Sequence, residues 1–298
     1  MQGKAAKVMA VAFLLLFVIS CGPVGGPSIG LGRDDTGRRP DYRTGTQGLV
    51  LQFLSGTPPP KLYEGDPLPI VVEVSNKGTF DVVDGRLYIS GFDDRFIKLN
   101  RDVAVLSELA GKSLFNPDGL FSEVFEFEDP SVTIPEHTDL FPQAIKATAC
   151  YRYQTRTTAE VCIDPDPHSI RLVEKVCQVR PISYSGGQGA PIAITSVEEE
   201  ITRDRLQFKI LVQDGGGGTV IAPDASILNC HEGIDRRDID KVAVVSVEFS
   251  GHEIRLNCEP NPIRLVNGRG YTFCTFQGNL GDDAFLTALN IMLEYGYR

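Results

Sequence analysis

The chain contains no tryptophan, only three methionines and four histidines, and no Asn-x-Ser/Thr site for N-glycosylation. The absence of tryptophan excludes an antibody-type core, in which a buried tryptophan packs against a disulfide. The chain also lacks the Cys-x-x-Cys, His-Glu-x-x-His and Ser-x-x-Lys patterns. These patterns mark common metal sites and hydrolase active sites. We therefore expect a protein that is not an enzyme of these motif-bearing classes.

Long apolar runs are also scarce, and the one that exists lies near the start of the chain. Lys4 and Lys7 precede an apolar run from Val8 to Ser20, and Cys21 follows at once. A membrane-spanning helix needs about 20 apolar residues, whereas the core of a signal peptide needs about 7–15. The sequence Val-Ile-Ser-Cys that ends at Cys21 resembles a lipobox. We therefore predict a signal peptide over residues 1–21 with lipidation of Cys21; a retained membrane anchor is the alternative.

The region from 22 to 47 is rich in Gly, Pro, Arg and Asp and has no apolar periodicity, which predicts a flexible tether. This order of segments favours a membrane-anchored protein displayed at the cell surface, outside the cytoplasm. The formal net charge of −10 repels phosphates, so nucleic acid is an unsuitable partner. The expected partners are the membrane, other surface proteins and further copies of the chain.

From residue 48 onward, short runs of β-branched and aromatic residues alternate with Gly, Pro and Asp turns, which predicts an all-β fold. We expect two tandem antiparallel β-sandwiches of the immunoglobulin-like type, over 48–182 and 191–298, joined by a linker at 183–190. Residues 103–112 are compatible with one or two helical turns. Asn267-Gly268 between two apolar runs predicts a tight hairpin.

Six cysteines remain if Cys21 carries lipid, and an even number outside the cell favours disulfides. Predicted strands at 145–154 and 159–165 would form a hairpin centred on 155–157. Cys150 and Cys162 would then face each other across it, close enough to pair. The pairing of Cys177, Cys230, Cys258 and Cys274 is left open. Cys177 either links the two units or remains unpaired within the chain.

Two strand ends share a pattern in which alternating apolar residues lead into Asn or Asp and then glycine. The first contains Asn76 and Gly78, and the second contains Asp214 and Gly215. These residue types tolerate the left-handed backbone that a sharp turn requires. The pattern V-x-V-x-N-x-G at Asn76 resembles the strand–turn signature of CARDB-type and related immunoglobulin-like domains of bacterial and archaeal surface proteins. That resemblance implies a spacer, adhesion or assembly role and no fixed catalytic residues.

One oxygen-rich loop offers a candidate metal site. Asp164, Asp166 and His168 alternate with prolines, and oxygen ligands in a rigid loop suit Ca²⁺. We expect no other cofactor. The expected function is that of a non-enzymatic structural, binding or adhesion protein at the cell surface. The alternatives are a ligand- or Ca²⁺-binding receptor module and an extracellular hydrolase with paired carboxylates.

Overall fold

The computed structural model describes residues 41–166, 175–202, 205–250, 255–278, 281 and 283–298, and over these residues the protein is built from antiparallel β-strands without a helix. Residues Pro40–Arg298 form one compact unit. The predicted all-β antiparallel class is confirmed. The strands are β1 (Leu49–Phe53), β2 (Leu68–Asn76), β3 (Gly85–Ser90), β4 (Val103–Leu106), β5 (Ser122–Asp129), β6 (Lys146–Ile163), β7 (Ile182–Ser183), β8 (Ile192–Thr202), β9 (Arg205–Asp214), β10 (Val220–Ile221), β11 (Lys241–Phe249), β12 (Asn257–Glu259), β13 (Ile263–Arg264), β14 (Arg269–Gln277) and β15 (Phe285–Tyr297).

The strands form a central sheet and two outer sheets. The central sheet has the order β13-β11-β15-β6-β3-β4, and β10 pairs with one end of β15. One outer sheet has the order β1-β2-β5 and the other has the order β12-β14-β9-β8-β7. The core lies on the inner faces, because alternate residues of β2 and of β9 are buried while the residues between them are more exposed.

The two halves of the chain are joined through the central sheet. Residues Tyr151–Ile163 of β6 pair with Phe285–Tyr297 of β15 in an unbroken antiparallel ladder. The stretch 183–190 therefore does not separate two independent sheets, as the expectation of two tandem sandwiches assumed. The boundary predicted from the sequence assumed that the strands of each half pair only with one another. In the structure, β6 pairs with β3 of the first half and with β15 of the second, so one sheet runs through both halves.

The halves nevertheless repeat each other in strand order. In the first half, β1-β2-β5 forms an outer sheet and β3 pairs with β6; in the second, β8-β9-β14 forms an outer sheet and β11 pairs with β15. The strand β2 that ends at Asn76 thus corresponds to the strand β9 that ends at Asp214. The internal similarity between these two strand ends reflects this repeat.

The expected pairing of Cys150 with Cys162 is wrong. Strand β6 runs without a break through 155–157, where a hairpin was expected. At a rise of about 3.3 Å per residue, the two cysteines lie about 40 Å apart along this strand. Instead, Cys150 pairs with Cys230 and Cys162 pairs with Cys177, with Cα–Cα distances of 6.4 and 5.8 Å.

The third disulfide joins Cys258 to Cys274, which are direct neighbours on β12 and β14. Cys177 therefore does not connect the halves, because its partner Cys162 belongs to the first half. The bridge from Cys150 to Cys230 makes that connection instead, and it ties the loop after β10 to the central sheet.

Two smaller expectations have opposite outcomes. Residues Val103–Leu106 form the edge strand β4 rather than helical turns, because the residues of Val-Ala-Val-Leu alternate between exposed and buried positions. The hairpin at Asn267-Gly268 is confirmed, since both residues have positive φ angles, of 50° and 73°. Their neighbours Val266 and Arg269 exchange two backbone hydrogen bonds, as a two-residue turn requires.

The predicted signal segment 1–21, with Cys21, and most of the predicted tether lie outside the described residues. Within the described residues, no helix is long and apolar enough to cross a membrane.

Candidate functional site

The predicted turn residue Asn76 is a structural centre of the first half. Its side chain is fully buried, and its amide nitrogen donates to the carbonyl oxygens of Phe80 and Leu109 at 2.8 and 2.9 Å. Its oxygen Oδ1 accepts from the Gly78 amide at 3.1 Å and from the Tyr153 hydroxyl at 3.0 Å. Since both ends of the side chain are fully engaged, Asn76 fixes the end of β2 against β6 and has no free polar group to offer a ligand.

Asp214 occupies the corresponding place in the second half. Its Oδ1 accepts from the Gly216 amide and from the Tyr297 hydroxyl, both at 3.0 Å. The neighbouring Gly215 donates its amide to the Pro191 carbonyl at 2.9 Å. Both motifs therefore hold a strand end and contact a tyrosine of the central sheet. The expected left-handed backbone is wrong, because Asn76, Gly78, Asp214 and Gly215 all lack a positive φ.

Two further tyrosines complete this pattern. The Tyr151 hydroxyl accepts from the Leu49 amide at 3.1 Å, and the Tyr295 hydroxyl accepts from the Ile192 amide at the same distance. Burial raises the pKa of both tyrosines above the ordinary value of 10. The hydroxyls are therefore protonated at neutral pH, and their hydrogen bonds connect the central sheet to the outer sheets.

The loop with the candidate metal ligands contains an ion pair in the structure. The Lys175 ammonium lies 2.6 Å from Asp164 Oδ2, while Asp164 Oδ1 accepts from the Asp166 amide at 3.0 Å. Both oxygens of Asp164 are thus engaged within the protein, and the ion pair compensates its charge. His168 lies outside the described residues, and no group of three His, Cys, Asp or Glu suited to a metal occurs among the residues that are described.

Glu199 lies close to this ion pair on β8. Burial raises the pKa of Glu199 to about 8, and the negative charge of Asp164 contributes to the shift; a backbone hydrogen bond from Cys162 opposes it. Its Oε1 is buried without a hydrogen-bond partner among the described residues. Glu199 is therefore a protonated carboxylic acid at neutral pH.

One concave surface is a cavity of about 450 Å³ on the central sheet. Its floor carries side chains from three adjacent strands in two cross-strand rows. One row is Arg156, Met292 and Ser246, and the next is Thr158, Asn290 and Glu248. Volumes of about 300–1,000 Å³ are typical of sites for small molecules.

The rim of this cavity comes from loops of the first half. It includes the rings of Tyr42 and Phe80 and the basic side chains of Arg43 and Lys112. The Arg156 guanidinium lies 5.4 Å from the centre of the Phe80 ring, which orients the arginine at the border between floor and rim.

Sequence reasoning missed the cavity because it placed a hairpin at 155–157. The signal that identifies the continuous strand is the alternation of Tyr151, Tyr153, Thr155 and Ala159, which are all buried, with more exposed polar residues between them. That period-two pattern continues through the supposed turn, and it places Arg156 on the face of the sheet that is directed towards the cavity.

A second surface feature is a cluster of exposed apolar side chains in and after the loop that precedes β5. Phe115 is 98% exposed, Leu120 is 73% exposed and Phe121 is 62% exposed, and Val124 of β5 continues the surface. We call this group the β5 apolar surface. Strand β5 is also an edge strand of its sheet. Large exposed apolar side chains that lie close together are typical of sites of contact with other molecules.

Comparison with models of known protein families and with curated protein sequences gives no match for this chain. The fold and the site described above therefore define the class: an all-β protein with three disulfides, a polar cavity on its central sheet and an apolar surface beside an edge strand.

Proposed function

We propose that the protein is a non-enzymatic structural or binding component of the cell surface, anchored to the membrane through its N-terminal segment. The observation that supports this most strongly is the set of three disulfides, which pairs every cysteine after Cys21. Disulfides persist in oxidising compartments outside the cytoplasm and are rare inside it. The lipobox-like sequence that ends at Cys21 agrees with the same location.

The architecture supports a structural role. The ladder between β6 and β15 and the bridge from Cys150 to Cys230 both connect the halves, so a force applied to one half is transmitted to the other through covalent and hydrogen-bonded links. In this proposal the unit resembles the immunoglobulin-like and CARDB-type modules that hold other parts of surface proteins in position.

Localisation tests the anchoring part of the proposal. The full chain and its Cys21→Ala variant are expressed in cells that process lipoproteins, labelled with a clickable fatty acid, fractionated and exposed to external protease. We expect the parent chain to be labelled, membrane-bound and cleaved by the protease, and the variant to lose the label. Ser20→Ala serves as the matched control. A chain recovered from the cytosol and protected in intact cells would contradict the proposal.

The β5 apolar surface supports the binding part of the proposal, in which the protein contacts other surface proteins or further copies of itself. Crosslinking on intact cells compares the parent chain with a Leu120→Ser variant. Leu140→Ser is the matched control, because Leu140 is 77% exposed but lines a concave surface that also includes Leu68, at the opposite end of β2. We expect Leu120→Ser to abolish crosslinked species that Leu140→Ser retains; equal patterns in both variants would exclude this surface.

A further inference from the structure

We propose that the cavity on the central sheet binds an acidic oligosaccharide, that is, a sugar chain carrying carboxylate groups. This inference goes beyond the proposed function and does not depend on the anchoring or on the β5 apolar surface. It rests on the charge of the cavity, on the chemistry of its floor and on the aromatic rings of its rim.

The charge of the cavity is opposite to that of the whole protein. Three basic side chains, Arg43, Lys112 and Arg156, line it together with one carboxylate, that of Glu248. The whole chain has a formal net charge of −10. A positive recess in an acidic protein concentrates anionic ligands at that point and no other class of charged ligand.

The three cations are also available. None of them forms an ion pair with a residue that the structure describes. Arg156 donates to the side-chain oxygen of Gln154 at 2.8 Å, and the Lys112 ammonium approaches the Thr44 carbonyl at 3.4 Å. These contacts orient the groups but leave their positive charges uncompensated, so a carboxylate of a ligand is a stronger partner than any they now have.

The floor of the cavity suits a ligand that is rich in hydroxyl groups. Sugar hydroxyls both donate and accept hydrogen bonds, and the side chains of Asn290, Thr158 and Ser246 can do the same. These side chains stand on three neighbouring strands, which lie about 4.8 Å apart. Asn290 is held in place because it accepts from Thr158 at 2.9 Å and donates to Ser250 at 2.8 Å. These hydrogen bonds preorganise the polar side chains for ligand binding.

The rim supplies the apolar contacts that distinguish a sugar from a small inorganic anion. The rings of Tyr42 and Phe80 are both partly exposed at the cavity, and the C–H faces of a pyranose ring pack against aromatic rings. A cavity of about 450 Å³ is also larger than a single phosphate or carboxylate group needs. Size, rings and hydroxyl-binding rows together favour an oligosaccharide over a simple anion.

Binding of tetragalacturonic acid to the full chain in detergent, measured by calorimetry at low salt, tests the proposal. Neutral maltotetraose and citrate are the comparison probes. We expect tetragalacturonate to bind at least about tenfold more tightly than either probe, with an affinity that falls as salt is added. Citrate binding as tightly as tetragalacturonate would overturn the sugar assignment, and no binding of tetragalacturonate would overturn the site.

Variants locate the binding. Arg156→Gln and Lys112→Gln are each expected to weaken tetragalacturonate binding by about five- to tenfold, since each removes a charge-assisted contact. Arg95→Gln is the matched control. Arg95 lies 5.4 Å from the centre of the Phe96 ring, as Arg156 does from that of Phe80, but it does not line this cavity.

Asn290→Asp, which introduces a negative charge without changing the size of the side chain, is expected to weaken binding as well. If binding is unchanged in the cavity variants while all of them keep the melting temperature of the parent, the proposal is wrong.

Discussion

At the scale of single residues, two Asx–tyrosine contacts join the outer sheets to the central sheet. Asn76 with Tyr153, and Asp214 with Tyr297, each join a strand end of an outer sheet to the central sheet at 3.0 Å. A hydrogen bond between buried groups adds little in itself, but a buried group left without its partner costs about 1–3 kcal/mol. These contacts therefore stabilise the fold mainly because any conformation without them leaves buried polar groups without hydrogen-bond partners.

The first prediction concerns Asn76. Replacement by alanine leaves the Phe80 and Leu109 carbonyls and the Tyr153 hydroxyl without this partner, so Asn76→Ala is expected to lower the free energy of unfolding by about 2–4 kcal/mol. Denaturant titration measures the change. Asn257→Ala on the exposed side of β12 is the control and is expected to change stability by less than about 0.5 kcal/mol. A change at Asn76 no larger than the control would show that its contacts do not stabilise the fold.

The second prediction concerns the pH dependence that Glu199 introduces. Its pKa is about 8 in the folded protein, above the ordinary value of 4.5. The folded state therefore retains a proton that the unfolded state releases, and the resulting stabilisation is complete below pH 4.5 and is lost as the pH rises towards 8. A Glu199→Gln variant keeps a neutral side chain at every pH.

We expect the parent and the Glu199→Gln variant to have similar melting temperatures near pH 4.5. At pH 8 the variant should be more stable, by about 1–2 kcal/mol after allowance for the partial exposure of the carboxyl group. Glu200→Gln on the exposed side of the same strand is the matched control and should show no such divergence. Parallel stability curves for the parent and Glu199→Gln would contradict the raised pKa.

At the scale of elements, the disulfides differ in what they join. The bridge from Cys150 to Cys230 closes a loop with a sequence separation of 80 residues and fastens the loop after β10 to the central sheet. The bridge from Cys258 to Cys274 closes a separation of only 16 residues, between strands that already pair directly. Removal of the long-range bridge should therefore have the larger effect.

The third prediction compares these two bridges. The entropy of the unfolded chain gives a stabilisation of about 4–5 kcal/mol for the 80-residue separation and about 3 kcal/mol for the 16-residue separation. Removing Cys150 and Cys230 together as serines is therefore expected to lower the melting temperature more than removing Cys258 and Cys274. Calorimetry under non-reducing conditions makes the comparison. Equal or reversed effects would contradict the role assigned to the long-range bridge.

Sequence patterns predicted most elements but not their connections. The alternation in β2 and β9 and the Asn267-Gly268 turn are local signals, and the structure has each of them where it was expected. The extent of β6 was missed, because Thr155-Arg156-Thr157 has the polar composition of a turn although its period continues that of a strand. The error in β6 produced the wrong partner for Cys150. Disulfide pairing and the cavity both depend on which distant strands become neighbours, and no local signal carries that information.

At the scale of the whole molecule, the ladder between β6 and β15 makes the two halves interdependent. Its thirteen residue pairs extend from Tyr151–Tyr297 to Ile163–Phe285. Neither half can lose its structure without exposing the inner side of this ladder and the tyrosines that stand on it. The molecule is therefore expected to behave as one cooperative unit, in contrast to two domains joined by a linker.

The fourth prediction follows from this interdependence. Scanning calorimetry of the oxidised protein is expected to show one unfolding transition whose calorimetric enthalpy equals its van't Hoff enthalpy. Two resolved transitions, each assignable to one half of the chain, would show that the halves fold independently and would restore the description as tandem domains.

The oxidation state of the cysteines in the cell tests most directly whether the protein is a disulfide-linked β framework outside the cytoplasm. Intact cells that express the full chain are treated with an alkylating reagent, and the protein is then digested without reduction and analysed by mass spectrometry. We expect the linked peptides Cys150–Cys230, Cys162–Cys177 and Cys258–Cys274, with no alkylation at these six positions. Alkylated, reduced cysteines at these positions would contradict both the cross-linked β framework and its location outside the cytoplasm.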